Sequence, residues 1–411
     1  MSEDVATDER LAAQVRSDVK QWLSAHWSPG QDRRAFTAAA VDAGWARPSW
    51  PRDTFGRDLP EELTPIIAEE FTAAGAPVPD TTASAIAATA IKDFAESAEL
   101  RGPVLRKLLT GEYRTCLLYS EPGAGSDLAA VQTRADRDGE EWVVNGQKVW
   151  TSGARQATHG LLAARTNWDV PKRRGITYFL LPMRQDGVEI RPIKQMTGQS
   201  SFNEVFFTNA RVPDSLRISA LEDGWRVLQT ALAVERMSMG GGLRRAPVAR
   251  ADRTAGEEAA VPVRGAAELV TIANQTGRNT DPVMRQDIAR IHALRRIGTW
   301  NAERSGGEAD MNIATVLKLA MSSVLHGSAR IHTQLLGQES MLVAGGGGSK
   351  QGDDANQEAM WSFINSIGGG SDQIQRNLIA ERVLGLPHDP SVDHNIPFRE
   401  ARKAEGVRRL S

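Results

Sequence analysis

Three stretches hold residue types from which a ligand site can be built. YSEPGAGSDL (119–128) sets Gly123 and Gly125 between the hydroxyls of Ser120 and Ser126. Glycine lets the backbone come close to a bound molecule, and backbone N–H groups between two hydroxyls can receive an anion. The same residues also make an ordinary Gly/Ser turn. NGQKVWTSGA (145–154) puts the flat face of Trp150 next to Thr151 and Ser152. An aromatic plane beside hydrogen-bond donors suits a planar heterocycle; the alternative is that Trp150 is core, where strand tryptophans usually lie. Further on, SIGGGSDQIQRNLIAERVLGLP (366–387) places Gly368, Gly369 and Gly370 directly ahead of a helical pattern. Either something must come close there, or the glycines open a helix with Ser371 as N-cap.

The bulk properties narrow the chemistry. The chain has 411 residues, enough for two or three domains, with 41% hydrophobic and 24% charged residues. A net charge of -2 gives no electrostatic case for nucleic acid or an anionic membrane as partner. The one cysteine, Cys116, excludes an internal disulfide and a cysteine metal cluster, and suits a reducing cytoplasm. Seven scattered histidines include no HExxH pair, so no metal is expected. MSEDVATDERLAAQV at the N-terminus is acidic and lacks an apolar signal core. No apolar run reaches about 20 residues, so no membrane span is expected.

The elements that must hold the three stretches follow a helix–strand–helix order. Up to about residue 115 the pattern is helical: Leu11, Val15, Val19, Trp22 and Leu23 share one face, and a further helix runs from about Glu61 to Ala74. GWARPSWPRDTFGRDLP (44–60) connects them. From Cys116 to about Val212 short apolar runs alternate with turn signals: GLLAART, GITYFLLPM, GVEIRPIK and NEVFF. EWVV and QKVW flank Asn145-Gly146, which predicts a hairpin with a two-residue turn. Beyond Asp223 helices return. Ile313, Val316, Leu317, Ala320, Val324, Ile331 and Leu335 form a long stripe, and Met284, Ile288, Ile291 and Leu294 a shorter one. Residues 246–265 and the Gly-rich 344–357 are expected as loops.

Taken together, YSEPGAGSD, NGQKVWTSG and GGGSDQIQRNLIAERVLG, in this order, resemble the acyl-CoA dehydrogenase family over nearly the whole chain. The resemblance implies an α+β chain: an N-terminal helical domain (1–115), a middle β-barrel or sheet domain (116–217) and a C-terminal four-helix bundle (218–411). Family members bind FAD between the β domain and the C-terminal helices. By resemblance, Leu118, Tyr119 and Ser120 meet the flavin ring, Trp150 lies against it, and Ser152 bonds near its reactive nitrogen. Ser126 falls near the phosphates and the pantetheine arm of CoA. Arg278 matches an arginine that reaches the FAD of a second subunit, although Asp281 stands where the family often has phenylalanine. Gln334 and Gly337 match a further FAD-contacting turn, and Ser371 and Gln373 the last one.

The family's reaction takes a proton from the carbon alpha to a thioester and a hydride from the beta carbon, with a glutamate as base. In many members that glutamate immediately precedes the glycine matching Gly370, but here the position is Gly369. The nearest carboxylate, Asp372, matches no catalytic position. Isovaleryl-CoA and long-chain acyl-CoA dehydrogenases carry a small residue there and place the base on a helix after the β domain. The matching stretch is LAVERMSMGGG (232–242), and the matching base is Glu235, followed by Arg236 as a substrate-side residue. From the residues alone, Glu235 is equally a solvated carboxylate paired with Arg236 or Arg244. A vacant Gly369 then leaves room for Glu235 to reach the alpha carbon and for a branched or bulky acyl group.

The resemblance therefore implies oxidation of an acyl-CoA to the 2-enoyl-CoA, with electrons passed to an electron-transfer flavoprotein. It also implies a homodimer or homotetramer, or a heterotetramer with a second chain. Two other readings share the fold: a flavin monooxygenase or oxidase, and a non-catalytic partner subunit.

Overall fold

The structure is a computed structural model. It describes residues 2–79, 84–240, 264–304, 311–342, 350–388, 393 and 395–403. The chain forms two compact units: Met1–Arg191 with Phe202–Ala231 and Val392–Ser411, and Pro192–Ser201 with Leu232–Ser391.

In the first unit, helices α1 (Ser2–His26), α2 (Arg33–Asp42) and α3 (Thr64–Ala73) precede α4 (Ala85–Phe94) and α5 (Leu105–Leu109). Val15, Val19 and Leu23, four residues apart, are buried against Phe36, Ile67 and Phe71. Trp22 joins them, its ring 5.5 Å from that of Phe36. Leu11 falls off this face and is exposed.

Seven strands follow: β1 (Thr115–Leu118), β2 (Arg134–Asp138), β3 (Glu141–Ser152), β4 (His159–Arg165), β5 (Ile176–Pro182), β6 (Val188–Ile193) and β7 (Phe202–Pro213). They make one sheet in the order β1-β4-β2-β3-β7-β6, with β5 paired to β4. The expected hairpin at Asn145-Gly146 is corrected here. Residues 141–152 are a single strand, and the two-residue turn lies earlier, at Gly139-Glu140, where Asp138 pairs with Glu141. Gly139 has φ 63, the left-handed conformation such a turn requires. At 144–146 the register against β7 shifts instead, as in a β-bulge. The Asn145 side chain closes it by bonding across to Asn209, accepting from its N–H at 2.9 Å. Gly146 is required because a β-carbon there would stand 2.8 Å from Thr133 Cα.

The second unit is helical. Its helices are the end of α6 (Gly224–Gly240), then α7 (Ala266–Gln275), α8 (Pro282–Arg304), α9 (Met311–Leu336), α10 (Lys350–Ile367) and α11 (Asp372–Leu378). Leu317, Val324, Ile331 and Leu335 share a core with Met284, Ile288 and Ile291. Val316 is off that face and exposed. The seven-residue gap in the stripe has a physical cause: at Gly327 a β-carbon would meet Ile291 Cδ1 at 2.5 Å, so the Ile291 side chain of α8 takes the space there. The expected loop at 344–357 is corrected in part. Lys350 to Gln357 begin α10, while 343–349, with the glycine run, lie outside the described residues. So do residues 246–263, including most of the other expected loop. No helix of the described residues is long and apolar enough to cross a membrane.

One histidine of the sheet makes the fold acid-sensitive. His159 packs against Tyr113 with the rings tilted and their centroids 4.1 Å apart. Burial, helped by the charge of Lys107, pushes its imidazole down to about 4. The unfolded chain then binds a proton that the folded chain does not, so stability is full above about pH 6.5 and falls as pH drops towards 4. We expect His159→Gln to flatten this loss. The check is the urea midpoint measured across pH 4–7 for both proteins, which should converge at the acid end.

Candidate functional site

The first two stretches meet through a buried ion pair. Lys148, wholly buried in β3, donates to Tyr119 O at 3.0 Å, Ala163 O at 2.8 Å and Glu121 Oε1 at 2.7 Å. Glu121 in turn accepts from the backbone N–H groups of Gln132 at 2.6 Å and Thr133 at 2.8 Å. Burial works to raise the Glu121 carboxyl, but the Lys148 charge and these donors hold it below the usual carboxylate range. Burial lowers the Lys148 ammonium, and Glu121 offsets part of that. A further bond, from Val149 N–H to Ser120 O at 2.9 Å, sets the two stretches side by side.

The loop between these anchors is open to solvent. Glu121 and Ala124 exchange two backbone hydrogen bonds around Pro122-Gly123, which makes a tight turn. Pro122, Gly123, Gly125 and Ser126 are exposed. No atom lies within 4 Å of where a β-carbon on Gly125 would sit, so its own chain does not explain the missing side chain. The far end is held by Arg165, also fully buried, which donates to Ala129 O at 2.6 Å and Val131 O at 2.9 Å.

Trp150 is not core. It is 58% exposed and has φ 62, with its ring edge-on to Phe202 at 6.0 Å. A bulky residue held left-handed is strained, and such strain collects at functional sites. It sits where the β3–β7 register shifts between Lys148 and Thr151. Ser152 beside it is exposed. Thr151 Oγ1 and Asn203 Oδ1 are buried at the same irregularity without a hydrogen-bond partner among the described residues. Leu118 and Tyr119 are buried, Tyr119 sharing a hydroxyl–hydroxyl bond with Tyr178, and Ser120 is half-buried.

In the second unit the glycine run is a backbone requirement. Gly369 has φ 64 and Gly370 φ 91. Ser371 then caps α11, accepting from Ile374 N–H at 3.4 Å. Buried Gln375 donates to both glycine carbonyls at 3.1 Å, and Lys318 to Gly370 O at 2.6 Å. Asp372 accepts from Ser322 Oγ at 2.8 Å and pairs with Lys318 at 3.4 Å, which gives it a structural role. Gln373 on α11 is exposed. Arg278 and Gly337 adjoin: a β-carbon on Gly337 would lie 3.5 Å from the Arg278 guanidinium. Asp281 accepts from Val283 N–H at 2.9 Å and so serves as the N-terminal cap of α8. Gln334 is exposed and accepts from Arg330 at 3.3 Å. Glu235 is half-buried on α6; the Arg236 side chain and Arg244 lie outside the described residues.

The pinning residues Lys148, Glu121, Arg165 and Lys318 were not singled out from the sequence as site residues. Arg165 at the end of HGLLAAR and Lys318 in VLKLA carried a signal, a charge among apolar neighbours; Glu121 in SEPG and Lys148 after Gln147 carried none.

Comparison with known proteins fits this architecture. Residues 116–210 match the family model for the acyl-CoA dehydrogenase middle domain, and residues 222–384 that for the acyl-CoA dehydrogenase C-terminal domain. Acyl-CoA dehydrogenase IpdE1 of Mycobacterium tuberculosis is 34% identical, over 93% of this chain and 98% of that protein. Acyl-CoA dehydrogenase FadE34 of Mycobacterium tuberculosis is 36% identical over 85% of this chain, which spans only 46% of that longer protein. A solved structure described as "Tcur3481-Tcur3483 steroid ACAD" is 25% identical, covers 92% of this chain and 98% of its own, and superposes with a TM-score of 0.66. The chain belongs to the acyl-CoA dehydrogenase family.

Lys148→Met would leave Glu121 buried without its cation. We expect a loss of about 3–5 kcal/mol in stability, most of it recovered in the double variant with Glu121→Gln. Urea unfolding of the two variants beside the parent checks this; equal loss in both would show that an unpaired Glu121 charge is not the source of the cost.

Proposed function

We propose that this chain is an FAD-dependent acyl-CoA dehydrogenase that removes the alpha proton and beta hydride of an acyl-CoA thioester. The observation that carries this is Trp150, exposed and left-handed at the shoulder of an open glycine loop whose ends are fixed by buried charges. Such strain collects at functional sites, and the exposed ring offers a flat face to a planar ligand. In the first unit, Leu118, Tyr119, Ser120, Ser126, Trp150 and Ser152 are the residues we assign to FAD, with Ser126 also towards CoA. In the second, we assign Arg278, Gln334, Gly337, Ser371 and Gln373. When bound, FAD supplies the hydride acceptor.

The remaining chemistry is the protein's own. Glu235 takes the alpha proton on a carboxylate oxygen, from a helix whose regular backbone fixes the direction of approach. Gly369 has no side chain to present to the substrate, and Arg236 is assigned to the substrate side. The naming of the neighbour as a steroid enzyme supports a bulky, ring-bearing acyl group rather than a short straight one. That description also joins two chain names, which supports a second, related chain as partner. Electrons leave through an electron-transfer flavoprotein, in a reducing cytoplasm that suits the unpaired Cys116.

The test is the visible spectrum before and after anaerobic addition of acyl-CoA thioesters, straight-chain and steroid-derived. Flavin absorption that bleaches with the bulky thioesters is the expected result. Protein that stays colourless after addition of FAD would instead mark a non-catalytic partner subunit. Glu235→Gln should keep the flavin and lose turnover by a factor of about 10²–10⁴; unchanged turnover would remove Glu235 from the role of base.

A further inference from the structure

Residues 393 and 395–403 lie beyond both matched family stretches, the second of which ends at residue 384. They are nonetheless built into the first unit. Phe398 N–H donates to Val170 O at 2.9 Å and Arg399 N–H to Trp168 O at 3.0 Å. Arg399 pairs with Asp169 at 2.8 Å. Phe398, 2% exposed, lies with its ring centroid 3.7 Å from the Arg165 guanidinium carbon. Asp393 pairs with Lys172 at 2.8 Å.

Both anchors lead to the same place. Arg165 donates to the carbonyls of Ala129 and Val131, and with its third contact to Lys172 O at 3.1 Å. These hydrogen-bond partners are neutral carbonyls, and two rings cover the cation: Phe398 at 3.7 Å and, farther off, Trp168 at 5.8 Å, so Phe398 is the nearer shield between its bonds and water. Lys172 is shared between Asp393 and Asp127, the latter at 2.7 Å. Two separate routes thus run from the segment to residues 127–131, immediately after Ser126.

We propose that residues 393 and 395–403 form a strap that positions the ligand loop 126–131, with Phe398 and Asp393 as its positioning residues. The loop's role in holding FAD and CoA rests on the function proposed above; the strap's hold on the loop does not. Through linkage, a ligand that orders the loop must also tighten the strap.

Hydrogen exchange on the full chain decides it. In Phe398→Ala without ligand, the amides of Ala130 and Val131, which bond within the loop, should exchange at least about tenfold faster, while that of Val19 in α1 stays unchanged. Phe398→Tyr keeps a ring over Arg165 and should restore slow exchange. Asp393→Asn should move the same amides in the same direction by less, and serves if the alanine variant does not fold. Loading the parent with FAD should slow the Phe398 and Arg399 amides. Faster exchange of those two amides in Phe398→Ala with the loop amides unmoved would overturn the strap. A parent that fails to bind FAD would count against the proposed function, and the ligand-free comparison would still decide the strap.

Discussion

The arrangement of the first unit depends on one buried ammonium. Lys148 has three donors, and three acceptors from two segments meet it: the Tyr119 carbonyl and the Glu121 carboxylate of the glycine stretch, and the Ala163 carbonyl of β4. Backbone groups outside the ladders still need partners when buried, and a lysine with three rotatable donors suits acceptors converging from several directions. Without Glu121 the charge itself would be costly to bury, and without Lys148 so would the carboxylate. The pair therefore fixes the loop to the strand in one register. It also bears on the irregularity next door, where β3 gives up regular pairing with β7 and Trp150 turns left-handed.

The second unit solves the same problem with the same chemistry. A left-handed glycine turn cannot pair in a ladder, so its carbonyls need side-chain donors. Gln375 and Lys318 provide them, and Asn365 and Ser322 bond to one another and to the Lys318 carbonyl. In each unit a stretch with irregular backbone is made rigid from behind by a buried cation. Rigidity of that kind leaves the exposed side of the stretch free for a ligand, because the backbone's own needs are met elsewhere.

Much of this was legible in the sequence because burial imposes periods. The stripe through Leu317, Val324 and Ile331 marked a core helix, and the short runs from GLLAART to NEVFF marked strands. What the periods could not show was how irregular points resolve. Asn145-Gly146 has the composition of a turn, but a turn there would break the strand that buries both Val144 and Lys148, so the pair is used as a bulge. Lys350 to Gln357 are polar enough for a loop, yet Gly352, Ala355 and Glu358 face inward and the segment is helix. The pinning charges were hidden for a related reason: a lysine or arginine in sequence reads as solvated, and only its three-dimensional partners make it structural.

The base proposed at Glu235 is consistent with the same backbone constraint. At Gly369 the left-handed conformation would cost a glutamate about 1–2 kcal/mol, and that strain would fall on the turn whose carbonyls Gln375 and Lys318 hold. A carboxylate on α6 meets no such cost, since a glutamate in a regular helix has ordinary dihedral angles. With the proposed base at Glu235, two demands fall on different residues: a turn that is left-handed, and a carboxylate that must be held at a fixed angle to a carbon atom. The glycine at 369 is explained by its conformation, whatever lies beside it.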